Sequence, residues 1–125
     1  MLFTRSAQLM PAKIETSSVL TPMSVEEFIT WAESYLEESG FYSTGFHETD
    51  VCRVTETYGH IAHVFSTYES RFTPDNPLPF KRGVNSIQLV RDEGRWWVTS
   101  LIWDMESDDN PIPARYLKAE KQEGA

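Results

Sequence analysis

Three long apolar runs constrain this chain more than any other feature. They are Gly59–Arg71 (GHIAHVFSTYESR), Arg82–Arg91 (RGVNSIQLVR) and Arg95–Met105 (RWWVTSLIWDM). All three are rich in Val, Ile, Thr, Tyr, Phe and Trp, which suit a pleated, half-buried surface. Turn-forming residues separate them: the proline-rich loop Thr73–Pro79 (TPDNPLP) and the tripeptide Asp92-Glu93-Gly94. Runs of this kind joined by such turns are consecutive strands of one antiparallel sheet.

The remainder of the chain arranges itself around that sheet. Phe41–Tyr58 is mainly strand-like, with a bend or bulge expected at Gly45. Ala7–Ile14 alternates weakly and carries Pro11, which cannot donate to a ladder, so an edge or broken strand is expected there. Thr16–Thr21 is a second short extended piece. Ser24 then opens a helix to Glu38. Ser24 and Glu27 form the S-x-x-E capping box, and Phe28, Trp31, Ala32, Tyr35 and Leu36 recur at helical spacing on one face. Gly40 suits the residue after its C-terminus. Beyond Asp104 the pattern dissolves, and the tail from about 118 to 125 is expected to fray. With no repeat and no linker, the 125 residues form one domain.

Charge and cysteine content narrow the function classes. The formal net charge is −8, and no basic stripe offsets it, so nucleic acid is not an expected partner. A single cysteine, Cys52, permits no internal disulfide and no cysteine-based metal site. The first residues, MLFTRSAQLMP, lack the continuous apolar core of a signal peptide. No run approaches the ~18 apolar residues of a membrane span. A cytoplasmic protein without a membrane partner is therefore expected.

The last hairpin predicts a register. With Asp92-Glu93-Gly94 as a three-residue loop, Arg91 faces Arg95. Val90 then pairs with Trp96, Gln88 with Val98, Ser86 with Ser100, Val84 with Ile102 and Arg82 with Asp104 on one face. The other face carries Leu89/Trp97, Ile87/Thr99, Asn85/Leu101 and Gly83/Trp103. Both faces are largely apolar. One is expected to pack on the helix and the other on a second subunit.

The order of elements resembles the cystatin-like α+β cone of the nuclear transport factor two-like superfamily, with the SnoaL-like branch nearest. The resemblance rests on GHIAHVFSTYE and on EGRWWVTSLIWD, which is similar to that family's Gly-x-Trp-x-Val/Ile final strand. It implies a curved antiparallel sheet forming a cone, with the helix packed on the concave face. The superfamily spans isomerases, dehydratases, cyclases, hydrolases and non-catalytic binding or assembly domains. It also implies that the usual first helix is missing here, because Leu2-Phe3-Thr4 leads straight into the first strand. The family's final-strand Trp and Val/Ile positions point inward, which places Trp96 and Val98 in the cone. Ala62, Val64, Ser66 and Tyr68 face the cone as well.

These expectations select candidate residues. The ligand pocket is Tyr68, Arg82, Ser86, Gln88, Ser100 and Asp104, an apolar wall with a few polar groups for orientation. Asp104, Tyr68 and His47 are the candidate catalytic groups: a desolvated Asp as proton shuttle, a Tyr hydroxyl on a carbonyl, a His near the mouth. The competing reading of Arg82 and Asp104 is a cross-strand ion pair at the rim. Trp97, Trp103, Leu101, Phe65 and His63 form the expected dimer face. No two histidines have metal-ligand spacing, so neither metal nor cofactor is expected. Binding of a small, partly apolar or aromatic ligand leads. A cofactor-independent isomerase or dehydratase and a non-catalytic dimerisation or assembly domain are the alternatives.

Overall fold

The computed structural model describes residues 2–12, 22–38, 40, 45 and 47–118. Five strands form one sheet: β1 (Phe3–Pro11), β2 (His47–Tyr58), β3 (Ile61–Arg71), β4 (Lys81–Asp92) and β5 (Arg95–Met105). Their order is β1-β5-β4-β3-β2. The three apolar runs are β3, β4 and β5, adjacent and antiparallel as their sequences require. β1 is an edge strand parallel to β5, and Pro11 sits at its end, where no donor is missed. The stretch Thr16–Thr21 and nearly all of the tail from 118 onward lie outside the described residues.

The helix α1 spans Val25–Glu38. Its capping box forms in both directions: the Ser24 amide donates to Glu27 Oε1 at 2.8 Å, and the Glu27 amide donates to Ser24 Oγ at 3.1 Å. Glu26 and Glu27 in the first turn also oppose the positive end of the helix dipole. The sequence places the bend before β2 at Gly45, which has φ +94° and whose absent Cβ would meet the Phe72 carbonyl. Within β2 the bulge falls at Val51, between Asp50 and Cys52.

The register of the final hairpin differs from the expected one. Asp92 pairs with Arg95, Arg91 with Trp96 and Val90 with Trp97, so the turn has two residues rather than three. Glu93 and Gly94 both take positive φ, 53° and 76°, as a twist-compatible two-residue turn demands. A bulge at Thr99 then shifts the ladder again: Leu89 pairs with Val98, but Gln88 pairs with Ser100. Beyond it lie Ser86/Ile102, Asn85/Trp103, Val84/Asp104 and Gly83/Met105.

Together these two changes redistribute the faces. Trp96, Val98, Leu101 and Trp103 share one face with Leu89, Ile87, Asn85 and Gly83. The β3 residues Ala62, Val64, Ser66 and Tyr68 join them through their β4 partners. This is the helix face, because Phe28 and Trp31 of α1 meet Trp103 at ring separations of 5.7 and 5.9 Å. Val90, Gln88, Ser86, Val84, Trp97, Ser100, Ile102 and Asp104 lie on the opposite face. Trp103 and Leu101, expected at a dimer contact, are therefore under the helix, whereas Trp97, Phe65 and His63 do face away.

Among the described residues the fully buried core is small. Ala7, Leu9, Tyr68 and Val98 belong to the helix face, with Ser66 and Ser70 beside them. Leu9 is fixed twice, by the sheet and by paired backbone bonds to Met23 that tie β1 to the start of α1. On the opposite face the segment after β5 folds back across β2 and β3. Thr67 Oγ1 donates to the Tyr116 carbonyl at 2.6 Å, the Tyr116 ring packs on Phe65 at 5.4 Å, and Cys52 is buried below Arg115. No helix among the described residues is long and apolar enough to cross a membrane.

Candidate functional site

Tyr68 anchors the site. β3 aims its side chain onto the helix face, and the ring lies over Gly83 of the neighbouring strand. Gly83 makes this possible: a Cβ there would sit 2.4 Å from the Tyr68 hydroxyl and 2.5 Å from the Asp104 carbonyl. Tyr68 is 4% exposed, and among the described residues its hydroxyl has no hydrogen-bond partner. Leaving a buried hydroxyl unpaired costs roughly 1–3 kcal/mol, which makes it a marked position in a small core. Its pKa is raised, first by burial and then by the negative charges of Glu48 and Asp104 and by Tyr35. The hydroxyl thus stays protonated and able to donate.

Other polar groups share this end of the helix face. Ser70, fully buried next along β3, donates from Oγ to Glu48 Oε1 at 3.3 Å. Tyr35 of α1 stacks on Trp31 at 5.9 Å, and the Lys81 ammonium lies 5.2 Å from the Tyr35 ring. Phe28, Trp31 and Trp103 complete an aromatic wall, of which Trp31 remains 43% exposed. A polar centre at Tyr68 thus meets an aromatic border that is not closed off.

The predicted pocket residues do not all gather here. Tyr68 lies on the helix face, whereas Arg82, Ser86, Gln88, Ser100 and Asp104 are on the other. The two-residue turn is the first reason, since it moves Trp96 and Val98 from the Gln88 face to the Tyr68 face; the Thr99 bulge is the second, since it keeps Ser100 and Asp104 with Gln88 and Ser86. Arg82 and Asp104 are not paired either. Arg82 makes a two-point bridge to Glu106, Nε to Oε1 at 2.9 Å and Nη2 to Oε2 at 2.7 Å, and also approaches Glu69. Arg71 binds Glu69 from its other side at 2.9 Å. The Glu106 bond raises the Arg82 pKa, and Arg82 in return holds the Glu106 carboxyl below its usual value. Asp104 instead accepts from its neighbour's amide, Met105 N at 3.0 Å, and from Asn110 Nδ2 at 3.1 Å.

Gln88 and Ser100 hydrogen-bond one another at 3.2 Å, and Ser86 meets His63 Nε2 at 3.0 Å. His47 pairs with Arg71 at the exposed start of β2, on the face away from Tyr68. The sequence reading passed over Glu48 and Ser70. Ser70 follows Tyr68 by two along the unbroken β3, so alternation alone puts it there; Glu48 comes opposite Ser70 only through the Val51 bulge, which carries no sequence signal of its own. Among the described residues no group of His, Cys, Asp or Glu is arranged to hold a metal ion.

This geometry sits on a scaffold shared with many solved structures. A protein of unknown function with a cystatin-like fold from Nostoc punctiforme superposes with a TM-score of 0.62 at 10% identity, over 86% of this chain and 73% of that one. A candidate ketosteroid isomerase from Parabacteroides distasonis gives 0.54 at 10% identity, over 86% and 72%. The beta subunit of benzoate 1,2-dioxygenase from Burkholderia mallei gives 0.58 at 9% identity, over 92% and 79%. No protein-family model matches the sequence. No curated protein matches it either. The fold is thus the cystatin-like, nuclear transport factor two-like α+β fold, with the helix on one face of a curved five-stranded sheet.

Proposed function

We propose that this chain, built on the nuclear transport factor two-like fold, binds a small, partly aromatic ligand on the helix face. The observation that carries the reading is the buried Tyr68 hydroxyl without a partner. A ligand carbonyl or hydroxyl accepting from it removes the cost of that unpaired donor. The half-open wall of Phe28, Trp31, Tyr35 and Trp103 supplies apolar area for the ligand body. Structures named as candidate ketosteroid isomerases share this fold, which supports small-ligand binding through the fold alone and not through any one face.

Glu48 favours a second, catalytic reading. Its carboxylate accepts from Ser70 on the same face, and its charge is felt at Tyr68. In a proton-transfer reaction next to a carbonyl, Glu48 serves as base and Tyr68 polarises the oxygen. Asp104 and His47, on the other face, have no part in it.

The test is a thermal-shift panel of phenols and aromatic ketones. A ligand at a hundred times its Kd stabilises by about 2.7 kcal/mol. The wild type is expected to respond to at least one probe and Tyr68→Phe to lose most of that response. No response from any probe, or an equal response in Tyr68→Phe, refutes the reading. Loss of turnover but not of binding in Glu48→Gln identifies the enzyme.

The same chain is also proposed to self-associate through the opposite face. Tyr58, Ile61, Val90 and Trp97 lie in one row across four strands there, with Tyr58 83% and Ile61 59% exposed.

A further inference from the structure

A second groove lies on the face away from Tyr68, between the sheet and the segment after β5. Its volume is about 230 Å³. Phe65, Val84, Ile102 and Tyr116 wall it, and Ser86 and Asp104 bring polar atoms to it. We propose that this groove binds a small hydrophobic cation, a compact arylalkylamine in its ammonium form, with Asp104 as the anchoring anion.

Asp104 carries the argument. Its carboxylate is held in orientation, Oδ1 by the Met105 amide and Oδ2 by Asn110 Nδ2. Each oxygen retains a further lone pair. Among the described residues Asp104 has no cationic partner. The adjacent cation, Arg82, is committed to Glu106 and Glu69. The other acid lining the groove, Glu106, is neutralised by that two-point bridge. What remains is one carboxylate without a cationic partner, exposed at the rim of apolar walls, the complement of an ammonium on an aromatic or aliphatic body.

Size and field point the same way. A groove of this volume suits a single ring with a short chain. The chain's net charge of −8 draws cations towards it. Two local groups set the ligand's direction. The Arg115 guanidinium lies 4.6 Å from the Tyr116 ring centre, and His63 is bonded to Ser86. The ammonium therefore seats at the Asp104–Asn110 end, and the ring lies towards Phe65 and Ile102. Apart from the charge of Asp104, which is felt at Tyr68, these residues act on the opposite face, and the inference does not rest on the helix-face reading.

The probe is 2-phenylethylamine, compared with its neutral analogue 2-phenylethanol, in an NMR titration of the whole chain at low salt. The amine is expected to bind at least about tenfold more tightly than the alcohol, as a charge-assisted hydrogen bond gives. Asp104→Asn, which keeps one of the two acceptors on this exposed side chain, is expected to abolish that preference with the protein still folded and its thermal midpoint only slightly lowered. Ile102→Trp fills the groove from a side chain that is 39% exposed, and is expected to block both probes. Equal binding of amine and alcohol, or an undiminished amine preference in either variant, overturns the proposal.

Discussion

Gly83 and Tyr68 are one unit. The glycine is in an ordinary strand and has no conformational need of its freedom; what excludes a side chain there is the ring lying on it. Gly83→Ala forces a methyl against the Tyr68 hydroxyl on one side and the Asp104 backbone carbonyl on the other. Overpacking against backbone is not relieved by a rotamer change, so a loss of about 2–4 kcal/mol is expected. In a melting curve this is a fall of roughly 8 °C or more. Adding Tyr68→Phe is expected to restore only part of it, because the carbonyl contact remains. Full rescue would mean that the hydroxyl alone sets the fit. In the sequence, Tyr68 was legible as an inward residue, since β3 alternates without interruption from Ile61 to Arg71. Its missing partner was not legible, because the absence of a hydrogen bond is a property of the packed neighbourhood.

At the scale of elements, the helix and the strands announce themselves for different reasons. The helix start is written locally in Ser24 and Glu27, two residues three positions apart that satisfy each other's backbone donors whatever the rest of the chain does. Ser24→Ala removes one side of that exchange and is expected to cost about 1 kcal/mol, read as a lower midpoint in chemical denaturation with an unchanged slope. No change at all would mean that α1 is held by its aromatic contacts to Trp103 rather than by its cap. The boundaries of β3, β4 and β5 were equally legible, whereas β1, expected over Ala7–Ile14, runs from Phe3 to Pro11. The register was not legible, because it depends on two single-residue decisions. A Glu at positive φ shortens the β4–β5 turn, and an extra residue at Thr99 offsets β5. Neither Glu93 nor Thr99 is a residue type that advertises the role. From those two positions follow the separation of Tyr68 from Asp104 and the move of Trp103 from the outer face, where Trp97 stays, to the helix face.

At the scale of the whole molecule, the two faces of the sheet are treated differently. The helix covers one, and the segment ending at Tyr116 covers part of the other, leaving the row from Tyr58 to Trp97 unshielded. Trp97 has its indole N–H bonded to the Asp92 carbonyl, and the Arg95 guanidinium lies 3.3 Å from its ring centre, so it is held in place. A held aromatic surface needs little ordering on association. Light scattering at about 10 μM is expected to show a dimer, since stable interfaces bury roughly 1,200–2,000 Å² in total. Ile61→Glu combined with Trp97→Glu is expected to give a monomer with an unchanged far-ultraviolet circular dichroism spectrum. A monomeric wild type ends this reading and leaves the helix-face proposal untouched.

The extra residue in β5 works as a parity switch. Trp96 and Trp103 are seven positions apart, an odd spacing that an unbroken strand would send to opposite sides, yet both serve the helix face. Downstream of Thr99, odd positions face inward; upstream, even ones do. Deleting Thr99 would leave the turn intact and remove the bulge, with Leu89 still opposite Val98 and Gln88 still opposite Ser100, so every residue from Ser100 to Met105 would keep its face. Within this scaffold, the partner a residue meets across the ladder, not the parity of its number, decides which side its chemistry faces.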